Sequence, residues 1–241
     1  MYCEMFELKI YNGYSKQLYE KLVNDIKSNK QNVIFAVNPN KVVLANDDPS
    51  FKKVLQDDTL LIADGIGLIY GAKLLHQELK ERICGVDVMK GLCQVAADNN
   101  FSVFIYGTNE ENLRLASLKI KEMYPNINIC GYLNGFEYTD EQIVDNINYC
   151  QPDIVFVALG SPKQELFIDK YKKKINAKVI MGVGGSVDVF SGHLKRAPEW
   201  VCNIHLEWLF RMLQQPKRFI TNKFLLKYIY LVFSLKLKKE R

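Results

Sequence analysis

Six short apolar runs, separated by stretches with helical spacing, leave this chain few folds to adopt. The runs lie near Val33–Val37, Leu60–Ala63, Ser102–Tyr106, Ile127–Tyr132, Ile154–Leu159 and Val179–Val183. Several are apolar at nearly every position rather than at every second one, the pattern of strands covered on both faces. Between them the period becomes helical. Thr108 to Glu111 spells a capping box, and Leu113, Ala116, Ile120 and Met123 follow on one helical face. Thr139 to Gln142 spells another, ahead of Ile143 and Ile147. Alternating strands and helices predict an α/β fold with a mostly parallel sheet and helices on both faces. A length of 241 residues suits one such domain with a small appendage.

Charge marks the appendage. From Pro216 onward there are eight basic residues and Glu240, a net +7, so the rest of this +5 chain carries −2. Such asymmetry points to an anionic partner for the tail. Glu199 to Gln214 reads as an amphipathic helix with Trp200, Ile204, Trp208 and Met212 every four residues. Phe224 to Leu235 follows with Lys227 as its only charge. That run is too short to span a bilayer but suits a helix lying in the membrane interface. Docking on the body or on another copy is the alternative. No nucleic-acid recognition motif accompanies the charge. The expected division is 1–198 for the α/β domain and 199–241 for a basic helical appendage. The start, with Glu4, Glu7 and Lys9 among its apolar residues, lacks the pattern of a signal peptide. The six scattered cysteines show no zinc or redox spacing and read as reduced thiols of a cytoplasmic protein.

Parallel α/β sheets bind ligands beyond the carboxyl ends of their strands. There this chain places Asn38, Asp64-Gly65, Gly107-Thr108, Gly160-Ser161 and Gly184-Gly185. Parallel strands would bring them to one rim. Gly160-Ser161-Pro162-Lys163-Gln164 reads as a capped helix start, with Ser161 as N-cap and Gln164 as its reciprocal partner. Such a start offers free N–H groups to a phosphate or a sugar hydroxyl. The turn at Gly182-Val183-Gly184-Gly185 allows close approach to a diphosphate, though it does not spell G-x-G-x-x-G. Asp188 after it either contacts a nucleotide or caps a helix. Asp64 has small neighbours and room for a substrate hydroxyl, so it can act as a general base. Partial burial would raise its pKa into a useful range. A turn-forming Asp-Gly is the alternative. No Asp-x-Asp pair is present, and the three histidines lack ligand spacing, so no metal and no cofactor is expected. A leaving diphosphate would rely on helix N-termini and on cations such as Arg82, Lys195, Arg196, Arg211 and Arg218.

Together these segments resemble the TagA/WecG/CpsF glycosyltransferases. The matching residues are Val37-Asn38-Pro39, Ala63 to Gly67, Glu81 to Asp87, Gly131-Tyr132, Leu159 to Glu165 and Gly182 to Asp188. Ser191-Gly192, Lys195 to Pro198, Glu207 to Arg211 and Pro216-Lys217-Arg218 complete the set, which runs in order from about residue 33 to 220. Two positions depart: Ala36 stands where many relatives carry Thr, and Thr221 where they often carry Arg.

The resemblance implies a Rossmann-like, GT-E type glycosyltransferase fold. It implies an inverting, metal-independent transfer of N-acetylmannosamine or a similar hexosamine from a UDP-sugar. The acceptor would be N-acetylglucosamine on undecaprenyl diphosphate, in cell-wall or capsule polysaccharide synthesis. Asp64 matches the general base. Asn38, Arg82, Gln164, Arg211 and Arg218 match sugar- and acceptor-binding positions, and Gly160, Gly184, Gly185 and Asp188 match the nucleotide region. The appendage would meet the inner face of the plasma membrane, with assembly into a homo-oligomer left open. Two rival readings remain open. A nicotinamide-dependent oxidoreductase predicts a glycine fingerprint after the first strand, where Asn38-Pro39 stands instead. A non-catalytic membrane adaptor has no need of a carboxylate on the rim.

Overall fold

The computed structural model describes residues 2–198, 200–201, 206–214 and 222–239. The expected α/β architecture is observed. Strands β1 (Tyr2–Met5) and β2 (Leu8–Tyr11) form an antiparallel hairpin. Then come α1 (Ser15–Lys27), β3 (Asn32–Val37), α2 (Pro39–Asp47), α3 (Pro49–Gln56), β4 (Thr59–Ala63), α4 (Ile66–Leu74) and α5 (Gly85–Asn99). The chain continues with β5 (Ser102–Gly107), α6 (Glu110–Met123), β6 (Asn128–Leu133), α7 (Asp140–Cys150), β7 (Ile154–Ala158), α8 (Lys163–Tyr171), β8 (Val179–Gly182) and α9 (Ser186–Phe190). Helices α10 (Glu207–Gln214) and α11 (Asn222–Lys239) follow.

One eight-stranded sheet has the order β1-β2-β4-β3-β8-β7-β5-β6, and every pairing except β1–β2 is parallel. The continuous apolar runs are explained by the two cores. In β3, Val33, Phe35 and Val37 enter one cluster, while Ile34 and Ala36 enter the other. The first core is closed by α2, α3, α4, α7, α8 and α11, and the second by α1, α5, α6 and α9. Burying a Val, Ile, Leu or Phe side chain contributes about 1.5–3 kcal/mol, so two faces per strand make the central strands the most strongly held elements.

Three local expectations are corrected. The helix after β5 does not begin at Thr108. Asn109 is its N-cap, accepting from the Asn112 N–H at 2.8 Å, while Thr108 turns with φ +46°. The Thr108 hydroxyl is spent on Asp188 instead. The capping box from Thr139 to Gln142 does form. The helix expected over Glu199 to Gln214 is not continuous: Leu206 is not helical, and α10 starts at Glu207, whose carboxylate is held by Arg82. Trp200 is exposed, so the expected stripe does not pack there. Ile204 and the side chains of Trp208 and Met212 lie outside the described residues. The N-terminal hairpin is an addition to the six expected strands. Cys3, Met5, Leu8 and Ile10 point inward from it, alternating with Glu4 and Lys9.

Helix α11 is docked through one face. Tyr228 and Val232 are buried in the first core, and Phe224, Leu231 and Leu235 pack partly against it. The Tyr228 hydroxyl donates to the Gly67 carbonyl at 3.0 Å, and a Cβ on Gly71 would collide with that hydroxyl at 2.2 Å. Glycine at 71 is therefore what lets α4 approach α11. Lys227 pairs with Asp47 on α2 at 2.6 Å.

Candidate active site

The sheet order creates an opening. The helix after β3 (α2) and the helix after β7 (α8) cover one face, while the helix after β8 (α9) covers the other. Strand β8 lies between β3 and β7, so adjacent connections leave in opposite directions at its carboxyl end. Crevices in open α/β sheets form at such switch points. Here a cavity of about 220 Å³ lies at that place. Asn38, Lys41, Asp64, Gly160, Gln164, Gly184, Gly185 and Lys195 are among its lining residues.

Asp64 follows β4, and its N–H donates to the Val37 carbonyl at 2.7 Å, which joins the ends of β3 and β4. The chain then turns through Gly65 at φ +105° into α4. Helix α5 begins on the other side of the carboxylate. A Cβ on Gly85, its first residue, would stand 3.8 Å from Asp64 Oδ2 and 3.1 Å from the Ala36 Cβ. Glycine at 85 thus lets a helix N-terminus sit against the acid, where its free N–H groups favour negative charge. Asn38 is the N-cap of α2, with Oδ1 accepting from the Lys41 N–H at 3.0 Å.

Gln164 does not cap α8 as expected. Pro162 holds the N-cap position without a side-chain cap, and Gln164 turns into the interior. Its Oε1 accepts the Gly184 N–H at 2.9 Å, and its Nε2 donates to Glu165 Oε1 at 2.9 Å. Glu165 in turn pairs with Lys41 at 2.6 Å, and Lys41 also donates to the Ala36 carbonyl at 2.7 Å. Lys41 and Glu165 were not singled out in the sequence, where each reads as one more helix charge. A signal was present: Glu165 lies three residues before buried Ile168, and Lys41 four before buried Ala45, on core-facing positions.

The other expected residues are distributed as follows. Gly160, Gly184 and Gly185 line the cavity, the first two with φ +76° and +49°. Asp188 stands outside the lining. Its Oδ1 accepts from Asn112 Nδ2 at 2.8 Å and the Thr108 hydroxyl at 3.2 Å, tying α9 to the start of α6. Arg82 also stands outside it, bound to Glu207 at 2.6 Å. Burial opposes the Arg82 charge, but Cys84, Glu207 and Asp64 outweigh it and raise its pKa. Burial first, and the Asp64 charge second, push the Cys84 thiol far up, so it is protonated at neutral pH. Arg196 pairs with Asp87 at 2.6 Å, near the start of α5. The Arg211 side chain and the whole of Arg218 lie outside the described residues. Among the described residues no group of three or more His, Cys, Asp or Glu could hold a metal ion.

Such a cleft can seat an anionic ligand on glycine turns and helix starts while presenting one carboxylate to a hydroxyl. Comparison with known proteins identifies the family. The family model described as glycosyl transferase WecG/TagA/CpsF matches residues 3–241. A protein of Bacillus subtilis (strain 168) is 39% identical over 186 residues, 77% of this chain and 73% of its own. One of Bacillus spizizenii is 37% identical, over 90% of this chain and 82% of its own. One of Staphylococcus aureus (strain MW2) is 32% identical, over 84% and 80%. All three bear the name N-acetylglucosaminyldiphosphoundecaprenol N-acetyl-beta-D-mannosaminyltransferase. The match fits a transferase better than a nicotinamide-dependent oxidoreductase or a membrane adaptor. With a family model covering nearly its whole length, the chain belongs to the WecG/TagA/CpsF family of glycosyltransferases.

Proposed function

We propose that this glycosyltransferase moves N-acetylmannosamine, or a closely similar hexosamine, from a UDP-sugar to undecaprenyl-diphosphate-linked N-acetylglucosamine. The observation that carries the reading is the meeting of Asp64 with the Gly184–Gly185 turn in one cleft. The names of the three relatives supply the sugar and the acceptor.

In this mechanism Asp64 takes the proton of the acceptor hydroxyl. The freed oxygen attacks the anomeric carbon from the face opposite the diphosphate, and the bond to the UDP oxygen breaks with its electron pair. Configuration at that carbon inverts. The departing charge meets the backbone of Gly184 to Ser186 and Lys195 on the cleft wall. The absence of an Asp-x-Asp pair from the sequence favours a transfer without a metal. Asn38 and Gln164 border the sugar's place. Asp188 acts one step back, by fixing α9 against α6. The family resemblance assigns Arg82, Arg211 and Arg218 to binding the acceptor.

The segment after residue 198 serves as the membrane-facing part. No helix among the described residues is long and apolar enough to cross a membrane. Yet Leu226, Ile229, Tyr230, Phe233 and Leu237 stand on one side of α11, 44–73% exposed, opposite its docked face. That spacing puts an apolar stripe outward, with Lys238 exposed nearby. The stripe suits the interface of the cytoplasmic leaflet, where each cation adds about 1 kcal/mol on anionic lipid.

A donor screen with a synthetic lipid-diphosphate acceptor tests the function. Product mass should show one added N-acetylhexosamine, with UDP released in equal amount. Nucleotide release without a lipid product, or no turnover with any UDP-hexosamine, would contradict it.

A further inference from the structure

The charged pair beneath the cleft is a poor device for stability. Lys41 and Glu165 oppose each other with 8% and 0% of their side chains exposed. The attraction of such a pair seldom offsets the removal of two charges from water, and apolar residues of similar volume do as well or better. Here the compensation is incomplete, because Glu165 Oε2 is buried without a hydrogen-bond partner. What the pair does, and an apolar pair cannot, is fix the direction of an amide. An ionised carboxylate only accepts hydrogen bonds. Gln164 therefore turns its Nε2 to Glu165 Oε1 and presents its Oε1 to the Gly184 N–H. Lys41 grips the same Glu165 oxygen and anchors itself on the Ala36 carbonyl near the end of β3. The space is cut to fit: a Cβ on Gly182 would collide with Gln164 Nε2 at 2.8 Å.

This chain of contacts ends on the turn at Gly184, whose next two residues line the cleft. We infer that Lys41 and Glu165 are positioning residues for the nucleotide-sugar donor, locking the Gly184 turn through Gln164. The inference rests on the transferase reading above. It gives the pair a role in donor affinity, with no part in proton transfer from the acceptor.

Three variants test it: Glu165→Gln, Lys41→Met, and the double variant, which leaves no buried charge. UDP affinity is measured by calorimetry, KM for donor and acceptor by turnover, and the thermal midpoint without ligand. Each variant that folds should bind UDP about tenfold or more weakly. Donor KM should rise in step, with acceptor KM and kcat little changed. A pair that served stability alone would lower the midpoint and leave UDP affinity and both KM values of the folded protein unchanged, which would overturn the inference. Failure of all three variants to fold would overturn it as well. Wild-type protein that does not bind UDP would remove the donor reading and this inference together. Wild-type binding with unchanged variants would remove the inference alone.

Discussion

The cleft at the ends of β3, β4, β7 and β8 and the outer face of α11 are both surfaces that face outward, and they are held in opposite ways. Cleft groups are fixed from behind: Asn38 by its cap on α2, Gln164 by Glu165 and Gly184, Asp64 by the Val37 carbonyl and the start of α5. The outer residues of α11 have no such support. Its inner face is anchored by Tyr228 and Val232, and its outer stripe stays apolar and exposed. A small polar ligand needs preset hydrogen bonds, because misaligned donors lose affinity. A lipid surface needs only apolar area and positive charge in one plane. On the proposed reading, buried polar networks would mark the chemical site of this molecule, and the exposed apolar face of α11 its place of attachment.

The sharpest way to separate the two regions is to remove the acid. Asp64→Asn should lower transfer by about 10²–10⁴-fold, the usual worth of a general base, in steady-state turnover. UDP affinity and vesicle binding should stay close to wild type, because the base acts on the acceptor. Wild-type turnover would remove Asp64 from the mechanism. A smaller effect is expected at the other region. Leu226→Ser, Tyr230→Ser and Phe233→Ser together should weaken sedimentation with anionic vesicles by about tenfold or more, since burying each of these side chains gives at most about 1.5–3 kcal/mol. Turnover on a water-soluble acceptor should not change. Equal loss on soluble and lipid acceptors would break the comparison.

The smallest effect concerns how α11 is fastened. The hydrogen bond from Lys227 holds the Asp47 carboxyl below the usual carboxylate range. A lowered folded-state pKa stabilises above the unfolded value, near about 3.9, and that stability is lost as pH falls through the lowered value. Both partners are partly exposed, so the loss is at most about 1 kcal/mol. Asp47→Asn should flatten the acid side of the stability curve slightly in denaturant titrations between about pH 5 and 3.

How much of this was legible in the sequence depends on what the residues had to say locally. Five of the six expected strands declared themselves through burial on both faces, which leaves few polar positions, while the edge strand β6 is only partly buried. The β1–β2 hairpin did not, since its turn at Phe6 and Glu7 takes φ of 55° and 64° without the Gly or Asn that usually marks it. Asp64, Gly160 and Gly184 were readable because a strand end followed by a small residue is a local signal. Gln164 was readable as a site residue but not in its role, because its partners, Glu165 apart, lie far along the chain. Lys41 and Glu165 were missed for the same reason: a buried ion pair is a tertiary fact, and each half looks like an ordinary surface charge. Asp188 showed the converse, a residue with two local readings that the fold gave a third, bonded to Thr108 and Asn112.

The central claim is that UDP occupies the cleft formed by the β7 and β8 ends, away from α11. Hydrogen exchange with and without UDP tests it directly. Added UDP should slow exchange in peptides covering residues 160–165 and 182–190 and leave those covering 224–235 unchanged. Protection confined to α11 or to the β1–β2 hairpin, with residues 182–190 exchanging as before, would contradict the account.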